Sequence, residues 1–326
     1  MKICIIGAGA IGGLLAARLA KYGEDVTIVA RGHQLAAIRN NGLRLVEESG
    51  ETFAVAPRAV ERLSDVEAQD LVILGMKAHQ VSAVAPAVPG MLTPQGLVLT
   101  AQNGIPWWYF CKTGGAHEGR ALDSVDPGGD IARHLPVDRV IGSVVYPAAE
   151  ISEPGVIRLI EGNRFSLAEI DNTKSDRVQA VSSAFTAAGF KAPVVTDIRA
   201  EIWTKLWGNL SFNPISALTG ATLAGICRSP LTRELAADMM REAQSVGEAL
   251  GVRFRIPLEK RLAGAEAVGE HKTSMLQDIE ARRPTEAAAL VGSIIELGQI
   301  VGVQTPKIAA VYALVRGLED SNAARA

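Results

Sequence analysis

The stretch KICIIGAGAIGGLLAARLA, residues 2–20, leaves a chain few ways to fold. Residues 2–6 form a short apolar run, suited to a parallel strand covered on both faces. From residue 10 to 22 the period becomes helical, with Ile11, Leu14, Leu15 and Leu19 on one side. Between the two lies Gly7-x-Gly9-x-x-Gly12. Gly7 permits a tight turn, Gly9 lets backbone approach a pyrophosphate, and Gly12 allows the helix to pack closely on the strand. The helix then opens at Ala10 and Ile11, whose amides point toward an anion at the N-terminus. A strand, this turn and a helix in that order predict a dinucleotide site.

The next run, EDVTIVARGHQ, reads as a second strand ending at Ala30 and Arg31. NAD-binding sites place a carboxylate here for the ribose hydroxyl. A guanidinium instead favours a 2′-phosphate through charge-assisted hydrogen bonds, so the expected cofactor is NADP (NADPH). Strands are also expected at DLVILGMK (70–77) and GLVLTAQNG (96–104). Lys77 and Gln80 follow one; Gln102, Asn103 and Gly104 follow the other, where doubly wound sheets hold their ligands. Asn103 suits a hydrogen bond to substrate or nicotinamide, although Asn-Gly is also a turn pair. Three runs at 142–151, 155–162 and 164–170 predict an antiparallel extension of the sheet. A helix near 175–188 and a strand at 193–195 would complete the domain. Trp107 through Phe110 are core, pocket wall or subunit contact, and the polar run behind them reads as a long loop.

A chain of 326 residues is comfortable for two domains. Its net charge of −2 shows no basic patch for nucleic acid. Cys4, Cys111 and Cys227 are odd in number and scattered like the histidines, which points to a reducing, cytoplasmic setting and to no metal site. The N-terminus superficially resembles a secretion signal, but its glycines interrupt the apolar run. No stretch reaches the ~18 uninterrupted apolar residues of a membrane span.

From about residue 197 the pattern turns helical, at 197–213, 230–251, 257–267, 285–302 and 305–317. A Rossmann-type doubly wound α/β domain over 1–196, followed by an all-helical domain over 197–326, implies a cleft for ligands. In EIWTKLWGNLSFNP (201–214), Lys205, Asn209 and Asn213 form one row, with Trp203, Leu206, Trp207 and Leu210 beside it. Such a row ordinarily faces water. In HKTSMLQDIEARRPTEAAALVG (271–292), Ser274 can donate to a carboxylate, Asp278 can organise the turn, and Glu286 follows Pro284 at a helix start. A glutamate there also has a plain electrostatic explanation.

Taken in order, GAGAIGG, VARG, MKAHQ, QNG, WTKLWGNLSFNPISALTG and TSMLQDIEARRPTE resemble the ketopantoate reductase (2-dehydropantoate 2-reductase) family over nearly the whole chain. The resemblance implies an NADPH-dependent reductase of a 2-oxo acid, in the lead case of ketopantoate to pantoate on the route to pantothenate and coenzyme A. It implies Lys205 as general acid, Glu286 as its partner, and Asn103, Asn209, Asn213 and Ser274 as substrate-holding residues. Lys77 and Gln80 match positions beside the nicotinamide and phosphates, with Asn103 and Glu286 also near the cofactor. The implied partner is a small-molecule 2-oxo acid, with neither nucleic acid nor membrane; a homodimer is compatible. The sequence departs from the family after Thr285-Glu286, where an isoleucine, an acidic residue and then Asn-Gly often follow and this chain has Ala287-Ala288-Ala289-Leu290-Val291-Gly292, with fewer polar groups. Another 2-oxo acid, an opine or 3-hydroxyacid dehydrogenase, or a non-catalytic NADPH sensor are the competing readings.

Overall fold

The computed structural model describes residues 1–324 and contains two compact units. One comprises Met1–Gln102, Trp107–Ala121 and Gly128–Ile198; the other comprises Asn103–Pro106, Leu122–Pro127 and the chain from Arg199.

The first unit opens with β1 (Lys2–Ile6), α1 (Ala10–Lys21), β2 (Asp25–Val29) and α2 (Gly32–Asn41). Three short strands follow, β3 (Leu43–Val46), β4 (Thr52–Val55) and β5 (Arg58–Val60), which the sequence reading does not resolve. Next come β6 (Gln69–Leu74), β7 (Leu92–Thr100), α3 (Asp130–His134), β8 (Val140–Val145), β9 (Ala148–Glu153), β10 (Val156–Glu161), β11 (Phe165–Glu169) and α4 (Asp176–Ala187). Seven strands form one sheet in the order β11-β8-β7-β6-β1-β2-β5. β1 lies between β2 and β6, and Ile3, Ile5, Leu14, Leu15, Leu19, Ile28, Leu71 and Ile73 share its core. Apolar residues on both faces of β1 and β6 are what a parallel central strand requires.

The antiparallel extension is narrower than the sequence suggests. β8 runs parallel to β7, and only β11 is antiparallel, on β8. The 142–151 run breaks at Tyr146-Pro147, since proline cannot donate to the ladder. β9 and β10 instead join β3 and β4 in a second sheet, β4-β3-β10-β9. That sheet explains the doubled glycine of the opening motif. A Cβ on Gly13 would stand 2.6 Å from Ile157 of β10, so the small residue seats α1 on the second sheet. Residues 193–195 contribute an isolated bridge, Leu167 to Val194, rather than a strand.

Trp107, Trp108, Tyr109 and Phe110 are all buried, so the aromatic run is core. Trp108 donates through Nε1 to Thr100 Oγ1 at 3.1 Å, and its ring fills the space that a side chain at Gly142 would need. The polar loop behind is organised by Glu118, which accepts from the backbone amides of Lys112, Thr113 and Gly114.

The second unit contains α5 (Ile198–Thr219), α6 (Leu223–Arg228), α7 (Pro230–Ala249), α8 (Leu258–Ala267), α9 (Ser274–Glu280), α10 (Ser293–Val301) and α11 (Pro306–Ala323). α5 continues past the expected end through Pro214. Ile215, Ser216 and Ala217 are buried, and that packing offsets the roughly 3 kcal/mol that an internal proline costs. Trp203, Leu206, Trp207 and Leu210 are buried as the amphipathic pattern requires. Trp207 donates to Met240 O at 2.7 Å, and the Phe254 ring lies against both tryptophans. Glu296 on α10 accepts from Asp123 N, Ser124 N and Ser124 Oγ, which ties residues 122–127 to this unit. No described helix is long and apolar enough to cross a membrane.

Candidate active site

In the first unit the site is made largely of absent side chains. Gly7 sits at φ +105°, where only glycine is unstrained, and a Cβ on Gly12 would collide with Gly7 O. A Cβ on Gly9 would meet nothing nearer than Gly75 O at 3.9 Å, so the backbone there is open to a bulky group. Gly9 is the N-cap of α1 and has no capping side chain, and the first turn carries no acidic residue. The first-turn amides of Ala10, Ile11 and Gly12 thus fit a pyrophosphate. Arg31 is exposed at the N-cap of α2, directly after buried Ala30, with no carboxylate in the helix's first turn.

Two glutamines brace this cradle, Gln102 at the strand end where a ligand is expected and Gln34, which the sequence does not single out. Gln34 donates to Ala8 O at 2.9 Å, inside the glycine turn, and accepts from Gly155 N. Gln102 donates to Leu74 O and Met76 O, joining the ends of β6 and β7. Both are long amides near turn glycines, a signal too common to announce a bracing role in sequence. Gln80 has a local task as well: its Oε1 accepts from Lys77 N at 3.2 Å and holds the turn that carries Lys77.

In the second unit three expected residues from distant parts of the sequence converge. Lys205 donates through Nζ to Asn103 Oδ1 at 2.5 Å, and Asn103 Nδ2 donates to Glu286 Oε2 at 3.1 Å. The amide orientation is fixed by its neighbours, because an ammonium only donates and a carboxylate only accepts. Burial lowers the Lys205 pKa to about 8, and the Glu286 carboxylate partly offsets that shift. The row is therefore not a wet surface: Lys205 and Asn209 are half-buried and Asn213 is buried. Asn209 and Asn213 make no side-chain hydrogen bond among the described residues. Ser274 is exposed on the first turn of α9 and takes no part in the Lys205–Asn103–Glu286 chain. The buried Asp278 accepts from Arg283 Nε at 3.2 Å, which does organise the turn after α9.

Asn103 is held by an unusual helix. Residues Ala288–Gly292 form a π turn just beyond Glu286, and Ala289 O accepts from Ile105 N at 3.0 Å. The intervening Gly104, at φ +89°, lies so close that a Cβ would be 2.6 Å from the Ala289 carbonyl carbon. π turns recur at functional sites because they free carbonyls from the helix ladder. Ala287, Ala289, Leu290 and Val291 are all buried, so this run is packed. Thr285 Oγ1 accepts from Ala287 N, so Thr285 starts this helix and presents Glu286 before it.

A proton donor with a pKa near neutrality, joined through an amide to a carboxylate, can protonate an oxygen that gains charge. Comparisons with known proteins show what the chain is similar to. The family profile described as "Ketopantoate reductase PanE/ApbA" matches residues 3–172, and its C-terminal counterpart matches 197–319. A Mesorhizobium japonicum protein named 2-dehydropantoate 2-reductase is 54% identical over 98% of both chains. A crystal structure provisionally named a ketopantoate reductase, from Ralstonia solanacearum, is 40% identical, covers 98% of both chains and superposes with a TM-score of 0.93. A D-mandelate dehydrogenase, solved with NADH and anilino(oxo)acetate, shares the fold at a TM-score of 0.83, 23% identity and 99% coverage of both chains.

Proposed function

The chain therefore belongs to the ketopantoate reductase family, as an oxidoreductase acting on a CH–OH group, and from that premise we propose that it reduces the 2-oxo acid 2-dehydropantoate to pantoate with NADPH. The observation that carries this reading is the half-buried Lys205, its ammonium held by Asn103 with Glu286 behind it. When bound at the glycine cradle, the reduced nicotinamide supplies a hydride to the carbonyl carbon. Lys205 gives its proton to the ketone oxygen, so hydride and proton together convert C=O to CH–OH. With a pKa of about 8 the lysine is mostly charged at neutral pH and a stronger acid than an exposed one. Its ammonium also stabilises charge developing on that oxygen. Asn209 and Asn213 hold the substrate's polar groups along the helix row, with Ser274 nearby in role. Glu286 keeps Asn103 in place and accepts from a substrate hydroxyl. Arg31 supports NADPH over NADH through its affinity for a 2′-phosphate, while Lys77 supports the nicotinamide end.

Placement in pantothenate and coenzyme A biosynthesis follows from the same reading. So does a reducing cytoplasm, which suits three free thiols, of which Cys4 is pushed up to about 12 by burial. A second reading, a more apolar 2-oxo acid, draws on the packed Ala287–Val291 run in place of polar groups. Steady-state NADPH oxidation across a panel of 2-oxo acids separates the two. Ketopantoate is expected to exceed bulkier acids in kcat/KM by at least about tenfold, the scale of one or two lost substrate contacts. A bulkier acid reduced better than ketopantoate overturns the substrate assignment.

A further inference from the structure

We infer that Glu319, near the end of α11, is a positioning residue: it fixes the chain segment that presents Glu286 to Asn103 and Lys205. The inference rests on the reading of Lys205 as proton donor and extends it to a helix that supplies no other member of the site. Thr285 N donates to Glu319 Oε1 at 2.7 Å. Glu319 Oε2 accepts from Arg316 Nη1, also at 2.7 Å. Ala287 N donates to Thr285 Oγ1 at 3.1 Å, so the residue on each side of Glu286 is tied down. From Glu286 the chain runs on through Asn103 to Lys205. Three hydrogen bonds and one peptide link thus join Glu319 to the Lys205 ammonium.

The pattern of α11 sets Glu319 apart from a packing residue. Ile308, Val311 and Val315 are buried on one stripe. At 100° per residue Glu319 falls within about 40° of Ile308 and Val315, where an apolar side chain is the ordinary choice. Its side chain is only 12% exposed, so its carboxylate depends on protein partners for what water would otherwise supply. Thr285 N lies ahead of the first turn of the next helix, and a carboxylate there complements the helix's positive end. Two turns earlier on the same stripe, the Tyr312 ring stands 3.1 Å from where a Cβ on Gly292 would be. α11 therefore grips the Glu286 segment at both ends, at Thr285 and at the last residue of the π turn.

A side chain at the start of a helix turns freely unless its backbone is fixed. Holding the amide one residue before Glu286 keeps its carboxylate where Asn103 Nδ2 donates to it. That carboxylate also raises the Lys205 pKa, so displacing it lets burial lower the pKa further. Glu319 acts on the lysine through this placement, and its effect should vanish when residue 286 has no side chain to place.

The test is a double-mutant cycle in the intact protein, read by kcat and by titration of Lys205. The titration follows acetylation of Lys205 by acetic anhydride against pH in mass spectrometry, which needs no turnover. Glu319→Ala should cut kcat about tenfold, the scale of a partner displaced by a fraction of an ångström, and lower the Lys205 midpoint. On a Glu286→Ala background the same change should cost less than about twofold and leave the midpoint in place, because the two residues act in one path. Glu319→Gln keeps an oxygen for Thr285 N and should restore kcat to within about threefold of wild type. Glu319→Asp keeps the charge but falls one methylene short of the amide. It should behave as alanine does, and it carries the test if the alanine variant does not fold. Losses that multiply in the cycle, or a glutamine variant as poor as alanine, overturn the inference. So does an aspartate variant that matches wild type, which would assign the effect to charge alone. Wild-type protein that reduces no 2-oxo acid retires the reductase reading; the inference then stands if Glu319→Ala still lowers the Lys205 midpoint and falls if the midpoint stays.

Discussion

The glycine cradle at Gly7–Gly12 and the Lys205–Asn103–Glu286 chain are both sites beside a helix, and they are built by opposite means. In the cradle, the groups offered to a ligand are backbone amides and the room left by missing side chains, and the motif that supplies them spans six residues of sequence. Its charge does not titrate, so it holds an anion equally well across the ordinary pH range. The Lys205 chain is assembled from side chains at positions 103, 205 and 286, and its key group has a pKa of about 8. The first arrangement suits a permanent handle for a cofactor. The second suits a step in which a proton must leave and return.

Removing the proton donor should break this division most sharply. Lys205→Ala is expected to cut kcat by about 10²–10⁴, the usual worth of positioned proton transfer, with NADPH affinity within about twofold of wild type. A comparable loss of NADPH affinity would show that the lysine belongs to the cofactor site instead. On the other side, Arg31→Asp should weaken NADPH by roughly 10- to 100-fold and NADH much less, since one charged pair is exchanged for a repulsion. Equal losses, measured by titration of each dinucleotide, remove the basis for NADP preference. Gly104→Ala should act between these two in kind and below them in size. Its Cβ would strike the Ala289 carbonyl at a positive φ, so Asn103 must move; a lower Tm together with a drop in kcat of about tenfold in the folded protein is expected for a strained turn and a misplaced partner. A fall in Tm with normal kcat in the surviving protein would make Gly104 purely structural.

These regions also differ in how much of them can be read in advance. The cradle is legible because strand, turn and helix are contiguous, and each glycine has a local steric reason. The tryptophan stripe of α5 is legible for the same reason, since period and burial agree. Neighbours distant in sequence are not. Nothing in residues 43–60 announces that β3 and β4 will receive β9 and β10, because that sheet depends on a pairing more than a hundred residues away. Lys205 and Glu286 stand out only through resemblance, and geometry alone explains why Asn103 matters: it is the amide that joins them. Gln34 and the π turn at Ala288–Gly292 have no sequence mark at all, and Gln102 is marked only by its place at a strand end, since each depends on which backbone group happens to face it.

The smallest effect is the most specific probe of the joining amide. Lys205 is charged below its pKa of about 8, so kcat/KM for reduction should be flat from pH 6 to 7.5 and fall tenfold per pH unit above about 8. Asn103 Oδ1 accepts from the ammonium and therefore favours the charged form; losing it lets burial depress the pKa further. Asn103→Ala should thus shift the alkaline limb downward, by up to about one pH unit if the lost bond is worth 1–1.5 kcal/mol. Glu286→Gln removes the carboxylate that raises the same pKa and should move the limb in the same direction. A limb that stays in place in both variants, while kcat falls, would mean that the two residues position substrate and leave the lysine's proton alone.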